Sequence, residues 1–394
     1  MRDKEIERLI KLEEKRQKGA VNLIASENYV SKDVLSALGS VFTNKYAEGY
    51  PGKRYYGGNE VVDKVENLAK TRALKLFKLS KNPPSASRRS GWGVNVQPYS
   101  GSPANLAVYL ALVPLGEKIM GMSLSMGGHL THGHSVSVTG KLWKWAHFGV
   151  DKKTELLDYD EIRKMARREK PKLIVVGFTA YSRIIDFQKL RKIADEAGAL
   201  LMIDMSHFAG LVAGGVYPPP FPYADVVTTT THKTLRGPRS AIIFSRLDLS
   251  VLINKAVFPG LQGGPHVNQI AAVAVCLEEA MASDFKRYAR QIVKNTKTLA
   301  LSLSKRGWRI ISGGTDSHLF LVDTWMRGIS GKTAEELLGK KGIIVNKNTI
   351  PYDARSPFDP SGIRIGTAAV TTMGLKEKDM MRIAGRIDDI LKAL

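Results

Sequence analysis

Between residues 95 and 245 the chain alternates short apolar runs with amphipathic ones, and this limits its folding choices most. Leu173 to Phe178, Leu200 to Asp204, Val226 to Thr230 and Ala241 to Phe244 are rich in Val, Ile, Leu and Thr and read as strands. Pro103 to Val113 and Phe187 to Ala197 carry helical spacing. Strands and helices in this alternation make an α/β fold, a mostly parallel sheet covered on both faces. Such sheets bind ligands beyond the carboxyl ends of their strands. A chain of 394 residues exceeds one ordinary core, so two domains are expected.

One strand end stands out. The run Val227-Thr228-Thr229-Thr230-Thr231-His232-Lys233-Thr234-Leu235-Arg236-Gly237-Pro238-Arg239 begins with β-branched residues and is broken by Gly237 and Pro238. A single lysine sits there among hydroxyls, a histidine and two arginines. Cations or burial lower the pKa of an amine, and a lysine so activated is the nucleophile an aldehyde cofactor needs for a Schiff base. A buried strand running into a basic loop would explain the same residues without chemistry.

Three other places invite the same scrutiny. Asp204 closes an apolar run, where a carboxylate is costly unless paired, with a ligand, a helix end or a cation. Ser100-Gly101-Ser102 precedes Pro103 and a helix. Two hydroxyls, a glycine and free backbone N–H groups suit a phosphate, although an ordinary serine cap fits as well. Arg364 lies in a strand-like run before Gly366, and a buried guanidinium fork grips a carboxylate.

Five segments, in order and spread over nearly the whole chain, resemble the serine hydroxymethyltransferase family. They are Leu23-Ile24-Ala25-Ser26-Glu27-Asn28-Tyr29, the stretch from Thr43 to Gly58, Gly127-Gly128-His129-Leu130-Thr131-His132-Gly133, the lysine run, and Ser361-Gly362-Ile363-Arg364-Ile365-Gly366-Thr367. The resemblance implies a pyridoxal 5′-phosphate enzyme of fold type I, with a seven-stranded sheet between helices and a smaller C-terminal α/β domain. It also implies a homodimer with shared active sites. The implied reaction moves the hydroxymethyl carbon of serine to tetrahydrofolate, giving glycine and 5,10-methylenetetrahydrofolate.

By resemblance, Lys233 carries the cofactor, flanked by Thr230 and His232. Asp204 pairs with its ring nitrogen, His207 lies close, His129 stacks on the ring and Thr179 supplies a nearby hydroxyl. Ser100, Gly101 and Ser102 take the phosphate, with Gly263 and Gly264 reaching it from the other subunit. Arg364 takes the amino-acid carboxylate. Glu48, between Tyr46 and Tyr56, handles a proton in the transfer. That cluster and Ser26 line the substrate site, the cluster reaching across the dimer. Leu124, Gly128, Leu130, Asn348 and Ser356-Pro357-Phe358 match positions near the folate. The chain departs from the family at Ala368, Met373 and Met126, where proline, arginine and histidine are usual. It also ends sooner than the family does, which puts small-domain packing in question. Ser80 to Gly91, all turn and breaker residues, reads as an exposed insertion.

The division expected is 1–20 as a helical arm, 21–275 as the cofactor-binding domain and 276–394 as the small domain. Asp3 to Lys18 reads as an amphipathic helix, and Asn59 as the cap of a helix ending near Phe77. Beyond Gly264-Pro265 follow an apolar helix, a basic one, strands at Leu319 to Val322 and Ile343 to Val345 around a helix from Thr333 to Leu338, and a final helix from Glu377. Metal-ligand spacing, an apolar signal core and a bilayer-length apolar run are not seen. The one cysteine, Cys276, lies in an apolar stretch and reads as core; it points to the cytoplasm. The net charge of +22 suggests a polyanion partner. Yet the basic residues are dispersed, no nucleic-acid module is visible, and the densest cluster, Arg163 to Lys172, reads as a solvated helix face. Two alternatives stand beside the main reading: a folate-independent aldolase for β-hydroxy amino acids, and an RNA-binding protein on an enzyme scaffold.

Overall fold

The computed structural model describes residues 1–79 and 91–393. The expected insertion, residues 80–90, lies outside the described residues. The larger sheet comprises β1 (Trp92–Asn95), β2 (Lys118–Met122), β3 (Lys144–Phe148), β4 (Leu173–Val176), β5 (Leu200–Asp204), β6 (Val226–Thr230) and β7 (Ala241–Arg246). Their spatial order is β1-β7-β6-β5-β4-β2-β3. Every neighbouring pair is parallel except those of β7, which runs antiparallel to β1 and β6. The expected fold, a mostly parallel seven-stranded sheet among helices, is the one observed.

Alternate residues of the central strands feed two different cores. Ile174 and Val176 of β4, with Leu201 and Ile203 of β5, face one side. Leu173, Val175 and Met202 face the other. That is why these strands read as continuous apolar runs. Named in chain order, the helices used below are α1 (Lys4–Gly19), α2 (Glu60–Leu76), α3 (Gly101–Leu112), α4 (Phe187–Ala197), α5 (Val267–Met281), α6 (Ser283–Ser304) and α7 (Glu377–Lys392). Ala69 and Ala73 of α2 and Leu190 and Ile193 of α4 cover the first face. Ala104, Val108 and Tyr109 of α3 cover the second. Burying one Leu, Ile or Val side chain stabilises by about 1.5–3 kcal/mol, so these faces fix the strand register.

A second, antiparallel sheet has β8 (Arg309–Ile310), β9 (Leu319–Asp323), β10 (Asn346–Asn348) and β11 (Gly362–Gly366) in the order β8-β9-β11-β10. Phe320, Val322, Ile363 and Ile365 pack there against Leu299 and Leu303 of α6 and Ile383 and Ile387 of α7. The other end of α6 packs Phe285, Ala289 and Ile292 into the large-sheet core, so this helix spans both. Val21–Asn22 pairs with Ile343–Ile344, tying the segment after α1 to the smaller unit.

Some expectations need correction. Asn59 precedes α2 but its side chain makes no cap bond. Its Nδ2 donates instead to the carbonyls of Tyr56 and Tyr46, at 2.9 and 3.4 Å. The helix expected from Pro103 begins at Gly101, because the chain turns helical directly after Ser100. Helix α1 has the expected stripe, but it buries nothing, and Ile6, Leu9, Ile10 and Leu12 are exposed.

Candidate active site

The carboxyl ends of β4, β5 and β6 converge on a cavity of about 410 Å3, within the usual range for small-molecule sites. Lys233 lies in it, three residues past the end of β6. The loop is closed behind it: the Thr231 N–H donates to the Ser240 carbonyl and the Gly237 N–H to the Thr231 carbonyl. Gly237 has no room for a side chain, because a Cβ would lie 2.5 Å from Cys276 Sγ. Lys233 is buried, and its Nζ has no hydrogen-bond or ion-pair partner among the described residues. Burial pulls the amine down to about 8, while Asp204 works against the fall.

Asp204, the last residue of β5, is buried and accepts two hydrogen bonds, which leaves acceptor capacity on its carboxylate. Asn105 Nδ2 donates to it at 2.9 Å and the Ser206 N–H at 3.1 Å, and His132 Nε2 lies 3.4 Å away. Burial raises its pKa, but hydrogen bonds and nearby imidazoles outweigh that and hold the carboxyl well below its usual range. Asn105 is held in turn by the Thr228 hydroxyl, which donates to its Oδ1 at 2.8 Å.

His129 lines the same cavity. The Thr131 N–H donates to its Nδ1 at 3.1 Å, and the Thr131 hydroxyl lies 2.7 Å from the same nitrogen. Asn105 donates to that hydroxyl, so the hydroxyl proton is free to point at Nδ1. The single proton of the neutral ring therefore belongs on Nε2. Burial lowers the His129 pKa to about 4 and that of His232 to about 3, so both rings are neutral at pH 7. His207, pushed well down by burial, shares a 3.1 Å hydrogen bond with His318.

Ser100 starts α3 without using its hydroxyl as a cap. Gly101 faces Thr230 so closely that a Cβ would stand 2.7 Å from Thr230 Cγ2. Among the described residues the Thr230 hydroxyl is buried without a partner, as is Nδ1 of His232. Opposite, Arg364 of β11 reaches into the cavity, buried and with no carboxylate in ion-pair range among the described residues. It donates from Nε to Asn346 Oδ1 at 3.1 Å and from Nη1 to the Thr179 carbonyl at 2.7 Å. Nη2 has no described partner. Burial lowers this guanidinium to about 10.

The cavity thus gathers Ser26, Ser100, Gly101, Ser102, His129, Thr179, Asp204, His207, Thr230, His232, Lys233 and Arg364 of the residues singled out in the sequence. The hydroxyl of Thr179 is spent on the Gly128 carbonyl at 2.7 Å, which leaves it only lone pairs to offer. Glu48, Tyr46, Tyr56, Gly263 and Gly264 do not line the cavity. They form their own cluster: Tyr46 Oη lies 3.3 Å from Glu48 Oε1, and the two tyrosine rings meet edge-on at 4.9 Å. A Cβ on Gly263 would lie 3.0 Å from Glu48 Oε1. Leu124, Gly128, Leu130, Asn348, Ser356, Pro357 and Phe358 also stay outside it. Leu130 lines a separate apolar hollow with Tyr99, Leu106 and Val138. Phe358 is 83% exposed. Sequence reasoning missed Asn105, Ser206 and His318; Arg239, one of the two arginines beside the lysine, and His132, in the glycine-flanked segment, were on the page but were given no site role.

The residues present fit one cofactor. A depressed amine suits an aldehyde, a buried anion suits a protonated ring nitrogen, and unspent hydroxyls with helix N–H groups suit a phosphate. Fold and cavity together define a fold type I pyridoxal phosphate enzyme. A family model described as serine hydroxymethyltransferase matches residues 1–387. The serine hydroxymethyltransferase of Koribacter versatilis (strain Ellin345) is 55% identical over 390 residues, 99% of this chain and 89% of that one. That of Acidobacterium capsulatum is 56% identical over 369 residues, 94% and 84% of the two chains. The chain belongs to the serine hydroxymethyltransferase family, which is pyridoxal phosphate-dependent and uses tetrahydrofolate as co-substrate.

Proposed function

We propose that the Lys233 cavity is where this chain transfers the hydroxymethyl carbon of serine to tetrahydrofolate, giving glycine and 5,10-methylenetetrahydrofolate. The observation that carries the assignment is Arg364, a buried cation with no carboxylate partner. An unpaired buried charge is costly, and an amino-acid carboxylate removes that cost by a bidentate contact. Pyridoxal phosphate, when bound, supplies an electron sink for bond breaking at the amino acid's Cα. Lys233 is the attachment point, and its pKa near 8 leaves about a tenth of the amine unprotonated at pH 7, several hundred times the share of an ordinary lysine. Asp204 keeps the ring nitrogen protonated. Neutral His129 offers a ring face without a competing charge. Ser100, Gly101, Ser102 and Thr230 would hold the phosphate.

Glu48 moves the proton in the transfer, and it acts in the cavity of a second copy. Its separation from the cavity within one chain, beside Gly263 and Gly264, supports a homodimer with shared sites. The single cysteine supports a cytoplasmic location, since it offers no intramolecular disulfide. The cores on the two faces of the large sheet, the separate core of the small sheet and the absence of buried residues in α1 support a division into cofactor domain, small domain and arm.

The test of substrate assignment is Arg364→Lys. A point charge replaces the planar fork, so KM for serine should rise by about tenfold or more, the worth of one charged hydrogen bond, with cofactor still bound. Unchanged KM with cofactor lost would mean that Arg364 serves the cofactor instead.

A further inference from the structure

Behind the lysine loop, away from the cavity, one asparagine uses its whole hydrogen-bonding capacity. Asn28 Nδ2 donates to the Lys233 carbonyl at 2.8 Å and to the Tyr288 hydroxyl at 2.7 Å. Its Oδ1 accepts from the Tyr29 N–H at 2.9 Å and from the Thr372 hydroxyl at 2.7 Å. Both protons and both lone pairs of the amide are engaged, so its orientation is set by its partners. The four partners lie on four segments. Tyr29 belongs to the strand-free stretch that places Ser26 on the cavity wall. Lys233 belongs to the loop after β6, Tyr288 to α6, and Thr372 to the short helix Ala368–Thr372 that follows β11 and Arg364.

The loop has few other holds on that side. The Arg236 N–H donates to the same Lys233 carbonyl at 3.0 Å. Arg236 itself adopts φ +64 and lays its guanidinium 4.9 Å from the Tyr288 ring centre. Thr234 ties the next turn to the segment after β5, donating to the His207 carbonyl and accepting from the Gly210 N–H, both at 2.9 Å. Among the described residues, only the Asn28 amide links the lysine backbone at once to the Ser26 stretch and to the segment that continues from Arg364.

We propose that Asn28 is a positioning residue for Lys233, holding the lysine carbonyl in register with the Ser26 wall and the Arg364 segment so that the amine stays buried and aimed into the cavity. The proposal rests on the reading of Lys233 as the attachment point. Asn28 does not line the cavity. It acts by removing freedom from the loop that carries the nucleophile, and a small displacement of a reacting group is enough to slow a reaction.

The test compares Asn28→Ala with Ile387→Ala, a cavity-forming change in the small-unit core that also lowers thermal stability. In full-length protein freed of cofactor, the Lys233 amine is titrated by pH-dependent acylation and peptide mapping. Asp204, Arg364, Arg239, His129, His207 and His232 face this amine in both variants. Loosening the loop admits water, so the Asn28→Ala amine should titrate about one unit above the native midpoint near 8. In the loaded enzyme its kcat should fall about tenfold, with KM for serine within about twofold. Ile387→Ala should change neither. Asn28→Asp, which keeps the shape and both acceptor bonds but loses the donors, should reproduce the fall in kcat if the alanine variant does not fold. A drop in thermal stability alone, with amine midpoint and kcat as in Ile387→Ala, would overturn the proposal. Acylation and cofactor capture at another lysine in the native protein would instead overturn the reading beneath it.

Discussion

A buried lysine with no counter-ion is expensive, and the cost lowers its pKa, so that it gives up its proton more readily than an exposed lysine. Between pH of about 8 and 10.5 the folded state holds fewer protons on Lys233 than the unfolded state, so this residue's contribution to stability rises with pH across that window. The same shift sets reactivity. Uptake of pyridoxal phosphate by cofactor-free protein should accelerate with pH through about 8 and then level off. An ordinary lysine would still be gaining rate near 10.5. Stopped-flow absorbance at a series of pH values checks this, and a midpoint near 10 would contradict the burial argument. At this scale the sequence was legible where chemistry and context coincide. Lys233, Asp204 and Arg364 are charged residues placed in or beside apolar strands, which is anomalous unless they are used. Asn105 and His132 gave no such sign. Asn105 lies one turn into α3 and His132 in a glycine-flanked turn, and only packing turns them toward Asp204.

At the scale of elements, buried interior strands were readable and edge strands were not. Leu200–Asp204 and Val226–Thr230 were read to the residue because both faces demand apolar side chains. Lys144–Phe148, at one edge, carries Lys144 and His147 outward, and Trp92–Asn95, at the other, includes Gly93, so their patterns are diluted. Lys118–Met122 is interior, but Lys118 and Gly121 interrupt its run. The start of α3 yields a prediction on this scale. Alanine is favoured over glycine in helices by up to about 1 kcal/mol, so propensity alone would make Gly101→Ala stabilising. The added Cβ would sit 2.7 Å from Thr230 Cγ2, and Thr230 is held in a buried strand. The clash should dominate, and overpacking typically costs about 1–3 kcal/mol. Calorimetry should give a lower melting temperature and cofactor titration a weaker affinity. A melting temperature raised with affinity unchanged would show that the approach of α3 to β6 is looser than described.

For the whole molecule, the densest basic cluster is the solvated helix face that the sequence implied. In the helix Tyr159–Glu169 and its neighbours, Arg163 pairs with Asp160, Arg167 with Glu196, Lys164 with Glu161 and Arg168 with Glu169. Such surface pairs add little stability, but they mask the densest basic cluster. Among the described residues no helix is long and apolar enough to cross a membrane. The two separate groups of site residues, one around Lys233 and one around Glu48, predict complementation. Lys233→Ala and Glu48→Gln should each be inactive alone. Mixed and refolded together, they should recover about a quarter of native activity, because half the dimers are mixed and each has one intact site. No recovery would place both groups in one chain's site. The central claim is that Lys233 binds the cofactor, and borohydride reduction of the loaded protein followed by peptide mapping tests it most directly. The account predicts a stable phosphopyridoxyl label on Lys233 alone, absent from Lys233→Ala; a label on any other lysine would contradict it.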